Sequence, residues 1–136
     1  MTLSRRYGHA HCLMCGQQNP RSLGLRFHRC DGGVRTTFQT QPELQGYTGW
    51  LHGGMVASLL DAAMTHCLFD RGVEAMTGDL HIRFVEPVPC EADLEIHARV
   101  LSATPPLYRL RAELAVDSEL LAWAEGKFME RRGAHS

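Results

Sequence analysis

Residues 49–72 read GWLHGGMVASLLDAAMTHCLFDRG, and the reading of the whole chain turns on them. Gly53 and Gly54 permit a tight entry, and Gly72, after Asp70 and Arg71, is a suitable stop. The pattern predicts one helix from Gly54 to Phe69, about 24 Å long at ~1.5 Å per residue. Apolar side chains fall on every face rather than on one stripe, so this helix must be buried or wrapped on most sides. Asp61 is its only acid before Asp70. An ionised carboxylate in such a place needs hydrogen-bond donors or takes a raised pKa. Either Asp61 faces water at a subunit seam, or it pairs with a polar neighbour such as His66, or it is a catalytic group.

The chain has 136 residues, 44% hydrophobic and 21% charged, enough for one domain and too few for two ordinary ones. Its formal net charge is -1 with acids and bases intermixed, which gives no basic stripe for nucleic acid and no basic helix for a membrane surface. Ser58, Asp61, Thr65 and His66 interrupt the longest apolar run, so no transmembrane span is expected. Five cysteines, an odd number, and a polar, basic start TLSRRYGHAH fit a reduced cytoplasm.

Along the chain, residues 1–20 read as an irregular lead-in ending at Asn19-Pro20. Cys12-Leu-Met-Cys15-Gly is half of a zinc knuckle, with His9, His11, His28 and Cys30 as the only nearby ligand types and no second Cys-x-x-Cys. The ordinary reading is a pair of structural or redox cysteines, and no metal and no cofactor is assigned. Leu23, Leu25 and Phe27 alternate with polar or small residues, and Asp31-Gly32-Gly33 then leads into Val34–Thr40, a predicted hairpin. Past the helix, Leu80, Ile82 and Phe84 alternate with charged residues, and EPVPCE forms a corner. Leu94–Val100 and Tyr108–Val116 alternate as cleanly, with a loop SATPP between them. The last strand, Leu120–Met129, puts Ala122, Ala124, Gly126 and Phe128 on one face, where a helix can come close. An antiparallel sheet with one apolar face and a helix apolar all round have one solution, α+β with the sheet curled about the helix. Residues 131–136 are a tail.

The order of these elements resembles the hotdog-fold thioesterases of the phenylacetate-degradation and 4-hydroxybenzoyl-CoA type. The matching text is CLMCGQQNPRSLGLRF, GYTGWLHGGMVASLLDAAM, TGDLHIRFVEPVP and GKFME, which together span most of residues 12–130. The most specific element is His-Gly-Gly with an acid nine positions after the histidine. The resemblance implies a single hotdog domain over 1–136 that hydrolyses acyl-CoA thioesters, with aryl or medium-chain acyl groups favoured by its apolar residues. It also implies a homodimer with its central helices side by side, commonly paired into a tetramer.

On that basis Asp61 is the general base or nucleophile. The Gly54 N–H, at the positive end of the helix dipole, is the oxyanion donor. His52 shapes the turn or acts as a base, and Thr77 either holds the attacking water or ends a loop. Gly53, Trp50, Met55 and Met64 line the substrate pocket, with core packing an equal alternative for Trp50, Met55 and Met64. Arg83, Lys127, Arg131 and Arg132 are available for coenzyme phosphates. Asp61 follows Gly54 by seven residues, about 10 Å along a helix, so both reach one carbonyl only if they come from different subunits. The loop amide of many such thioesterases has no clear match, Gln45 being the nearest. The alternatives are a non-catalytic acyl-CoA binding module, a hydratase using His52 with Asp61, and a metal-stabilised interaction domain on Cys12 and Cys15. No Gly-x-Ser-x-Gly elbow or phosphate loop is present.

Overall fold

The apolar run forms helix α1, Gly53–Asp70, in the computed structural model, which describes residues 7–131. The start of the expected lead-in (1–6) and the end of the expected tail (132–136, with Arg132) lie outside the described residues. The α1 entry is capped by His52, whose Nδ1 accepts the Gly54 N–H at 2.8 Å. Its exit is a Schellman turn. Gly72, at φ 76°, donates to the Phe69 carbonyl, and Val73 donates to the Leu68 carbonyl.

Six strands surround this helix in one antiparallel sheet: β1 His28–Cys30, β2 Gly33–Gln39, β3 Ala75–Phe84, β4 Asp93–Thr104, β5 Leu107–Val116 and β6 Glu119–Glu130. The spatial order is β1-β2-β4-β5-β6-β3. Alternation decides which side is inward: Leu94, Ile96 and Ala98 of β4, Leu110, Ala112 and Leu114 of β5, and Ala122, Ala124 and Phe128 of β6 are all fully buried. They pack with Leu59, Leu60, Ala63 and Met64 of α1 into one core. The helix is wrapped by the sheet as its composition requires.

The closest approach is at Gly126. A Cβ there would stand 2.8 Å from Phe128 Cε1 and 3.2 Å from Met64 Cε, so the lack of a side chain is what lets the helix settle on β6. Ala122 and Ala124 continue the same low surface.

Two local expectations are corrected. Leu23–Phe27 alternates in burial but is not a strand of the sheet, because its backbone is taken by the lead-in: Leu23 N–H donates to the Leu13 carbonyl and Leu25 N–H to the Met14 carbonyl. Only His28–Cys30 pairs with β2, through the Asp31-Gly32 turn. The SATPP loop is in fact mostly strand. A bulge after Val100 restores register, Ser102, Ala103 and Thr104 continue the ladder to β5, and the turn is reduced to Pro105-Pro106.

β3 carries a bulge of more consequence. Thr77 lies opposite Phe128 and Leu80 opposite Gly126, both inward positions of β6, although simple alternation would put Thr77 and Leu80 on opposite faces. The register shift at Gly78 turns Thr77 toward the helix.

Two substitutions probe this scaffold. Gly126→Val should lower stability by about 1–3 kcal/mol through overpacking, read as a drop in denaturation midpoint with an unchanged slope. His52→Ala should cost about 1 kcal/mol by removing the helix cap, and His52→Asn should restore most of it.

Candidate active site

Asp61 sits two turns into α1 on the one stripe of the helix, with Gly54, Ser58 and Thr65, that the core does not enclose. The Thr77 hydroxyl donates to Asp61 Oδ1 at 2.7 Å, a bond that spans from β3 to α1 and exists because of the bulge. Burial raises the Asp61 pKa above the ordinary carboxylate value, opposed by the Thr77 hydrogen bond and by the nearby His9. The carboxylate is thus a half-buried acceptor with one oxygen held by a hydroxyl.

A cavity of about 130 Å³ opens beside it. One wall is the helix, with Ser58, Asp61, Thr65 and His66, and the other is the lead-in, with His9, Cys12, Met14 and Cys15. The lead-in is held there by Tyr7 stacked on Phe69 at 4.7 Å and by the His9 ring set edge-on to Phe69. Burial also lowers the His9 pKa, against the attraction of Glu74 and Asp61. His66 lies on the same wall, buried. Burial, then the field of His9, push its pKa down to about 4, and its ring stacks on Phe27.

The other assigned residues lie in a second place. Trp50 and Gly53 line an apolar groove of about 440 Å³ at the start of α1, together with Tyr47, Val56, Phe84 and Val88. The corner after β3 closes this groove, since Leu51 N–H donates to the Val88 carbonyl and Cys90 N–H to the Gly49 carbonyl. Met55 is half-buried and lines neither the groove nor the Asp61 cavity. Met64 is fully enclosed against Gly126, a core residue of this chain.

The Gly54 N–H already has an acceptor, His52 Nδ1. A Cβ on Gly54 would crowd that imidazole at 3.1 Å, so the second glycine of the motif has a local reason of its own. Gln45 is likewise engaged, its Oε1 accepting the Gly49 N–H at 3.1 Å. Ser58 donates back to the Gly54 carbonyl at 2.8 Å, and burial pushes the Cys67 thiol up to about 11, so neither is an activated nucleophile. Lys127 and Arg131 face Asp79 and Glu74, at 4.0 and 3.8 Å, across exposed surface.

Sequence reasoning did not bring the lead-in to Asp61. The Cys-x-x-Cys-Gly pattern reads as half of a zinc knuckle, but only the fold puts it over the helix stripe.

The model of the thioesterase superfamily matches residues 48–114, which run from the loop before the histidine motif into β5. Acyl-coenzyme A thioesterase THEM4 of Rattus norvegicus is 35% identical over 54% of this chain. The match covers 35% of the rat protein, and the chain spans about a third or less of the curated relatives it matches. A solved thioesterase superfamily protein shares 25% identity at a TM-score of 0.82, over 88% of this chain and 60% of that one. A hypothetical thioesterase of Streptococcus pneumoniae TIGR4, solved with coenzyme A, has the same fold at 16% identity and a TM-score of 0.73, over 78% and 87% of the two chains. The curved antiparallel sheet around one helix agrees with these structures: the chain has the hotdog fold, and its residues 48–114 are similar to the thioesterase superfamily.

Proposed function

We propose that this chain hydrolyses acyl-CoA thioesters to a free acid and coenzyme A, with Asp61 as the general base. The observation that carries the reading is the Asp61–Thr77 hydrogen bond at the edge of a cavity, on the only stripe of α1 left outside the core. The thioesterase name of the rat relative and the coenzyme A held by a protein of the same fold support the substrate class. Tyr47, Trp50 and Phe84 give the groove at the helix start an aromatic lining suited to an aryl or medium-chain acyl group.

In this mechanism Thr77 occupies Oδ1, and Oδ2 takes a proton from water as the water oxygen attacks the thioester carbonyl. The oxyanion is stabilised by the N–H at the positive end of α1. Collapse breaks the C–S bond, and the departing thiolate recovers the proton from Asp61. Gly54 donates to the oxyanion only when His52 Nδ1 gives up its hydrogen bond.

Asp61 and Gly54 are too far apart on one helix, about 10 Å, to act on the same carbonyl. We therefore assign the site to a homodimer, helix stripe to helix stripe, with Asp61 of one protomer beside Gly54 of its partner. The edge strand β3, with Met76 and Phe84 exposed, supports such pairing, and pairs of dimers would make the tetramer. Among the described residues no helix is long and apolar enough to cross a membrane. The odd cysteine count supports a reducing compartment, the cytoplasm. We take residues 7–131 as one functional unit.

Thiol release from a panel of aryl-CoA and straight-chain acyl-CoA thioesters, measured on protein of known solution mass, tests the reading. Saturable release should fall by ~100-fold or more in Asp61→Ala and in Asp61→Asn. Binding without release would make the chain an acyl-CoA binding module, and full activity in a monomer would overturn the shared site. The pH profile gives a second check. Because burial raises the Asp61 pKa, the base form is lost as pH falls through a value above the ordinary carboxylate range. Thr77→Val removes a bond that favours the charged form, so the acid limb of kcat/KM should move to higher pH.

A further inference from the structure

The lead-in brings three metal-ligating side chains to one point. His9, Cys12 and Cys15 place a ring nitrogen and two sulfurs within 4.8 Å of one another, and the Cys15 Sγ to His9 Nδ1 distance is 3.7 Å. The latter is long for a hydrogen bond that orders the pair. It is close to the separation of about 3.5 Å expected for sulfur and nitrogen ligands on one tetrahedral zinc ion, given Zn–S near 2.3 Å and Zn–N near 2.0–2.1 Å. Closing the widest gap takes side-chain movements of roughly 1 Å.

The backbone around the cysteines is already shaped as a metal-binding knuckle. Met14 N–H donates to Cys12 Sγ at 3.3 Å, a bond that favours the thiolate, and Gly16 N–H donates to the Cys12 carbonyl at 2.8 Å. A Cβ at Gly16 would fall inside the backbone of Cys12 and Ala10, so the turn admits only glycine. Leu23 and Leu25 bind the Leu13 and Met14 carbonyls from outside, which fixes the turn to the body of the protein. Buried cysteines elsewhere are different. Cys67 and Cys90 have no such company, and this is the only His/Cys/Asp/Glu group of its kind among the described residues.

We propose that His9, Cys12 and Cys15 bind a zinc ion that fastens the lead-in across α1 and forms part of the wall of the Asp61 cavity. A histidine with two thiolates selects zinc over magnesium or calcium, and three protein ligands leave one tetrahedral position for water. Two thiolates and a neutral imidazole balance the charge of Zn²⁺, so the site adds no net charge beside the half-buried carboxylate. The ion's task is to hold the wall. The site does not depend on the thioesterase reading.

The test uses the full chain, purified under reducing conditions without a histidine tag or chelator. Elemental analysis should find about one zinc per chain, retained in Cys30→Ser and lost in Cys12→Ser/Cys15→Ser. Replacing the metal with Co²⁺ in the wild-type protein should produce thiolate-to-cobalt charge-transfer absorption. His9→Ala, a change at a half-exposed position, should weaken metal retention while leaving the circular dichroism of the sheet intact. Wild-type protein that holds no zinc and gives no such absorption with Co²⁺ would overturn the proposal. So would zinc that survives the double substitution, or a Cys12–Cys15 disulfide that persists under reduction and excludes the metal.

Discussion

A helix with apolar side chains on nearly every face cannot lie on a flat sheet, because half of it would stay in water. The sheet here meets that demand by curling, and the curl depends on how closely β6 approaches α1. Gly126 faces Met64 with no side chain of its own, and Ala122 and Ala124 extend the shallow track. With bulky residues along β6 the helix would stand off, and the inward rows of β4 and β5 would lose their contact with Leu59 and Leu60. The same close fit exhausts the sheet's coverage and leaves the stripe of Gly54, Ser58, Asp61 and Thr65 uncovered. The only acid in the body of the helix falls on that stripe. Its position is therefore a consequence of packing as much as of chemistry.

Most of the scaffold was legible because it is written in two periods. Residues such as Leu94, Ile96 and Ala98, or Leu110, Ala112 and Leu114, alternate without exception, and each proved fully buried. Alternation failed where a backbone found another partner. Leu23, Leu25 and Phe27 alternate as a strand would, yet the Leu23 and Leu25 N–H groups donate to the Leu13 and Met14 carbonyls, which no local pattern announces. Bulges were hidden for a similar reason. The shift at Gly78 that turns Thr77 inward changes the face of one residue without changing composition, and Thr77 was singled out by resemblance and not by periodicity. Met64 shows the opposite error: an apolar residue on a helix near the site reads as lining, but it lies on the sheet side of the helix.

The His-Gly-Gly motif carries two demands at once. Gly54 leaves room for the imidazole of His52 to fold over the helix start and take its N–H, and the same N–H is the strongest available donor for an anion at that end of the dipole. These uses are exclusive at any instant but not in conflict. His52 is exposed, so releasing the bond returns the imidazole to water and exchanges one acceptor for another, at little net cost. The histidine keeps the donor satisfied and aimed while no ligand is bound. In the proposed mechanism a charged oxyanion is the better acceptor and displaces it.

Asp61 owes its raised pKa chiefly to burial, and the sheet is only part of what buries it. The cavity beside it is closed by His9, Cys12, Met14 and Cys15, residues outside the sheet and held by a few bonds: the ring stack of Tyr7 on Phe69 and the hydrogen bonds from Leu23 and Leu25. If that wall swings away, Asp61 gains water and its pKa falls toward that of an ordinary aspartate, making it a weaker base. If the wall is fastened, the carboxylate stays desolvated, and the bond from Thr77 offsets part of that burial in favour of the charged form. His9, Cys12, Met14 and Cys15 thus contribute to the burial of an acid that belongs to the most regular element of the fold. A device that fastens them is a device that tunes it.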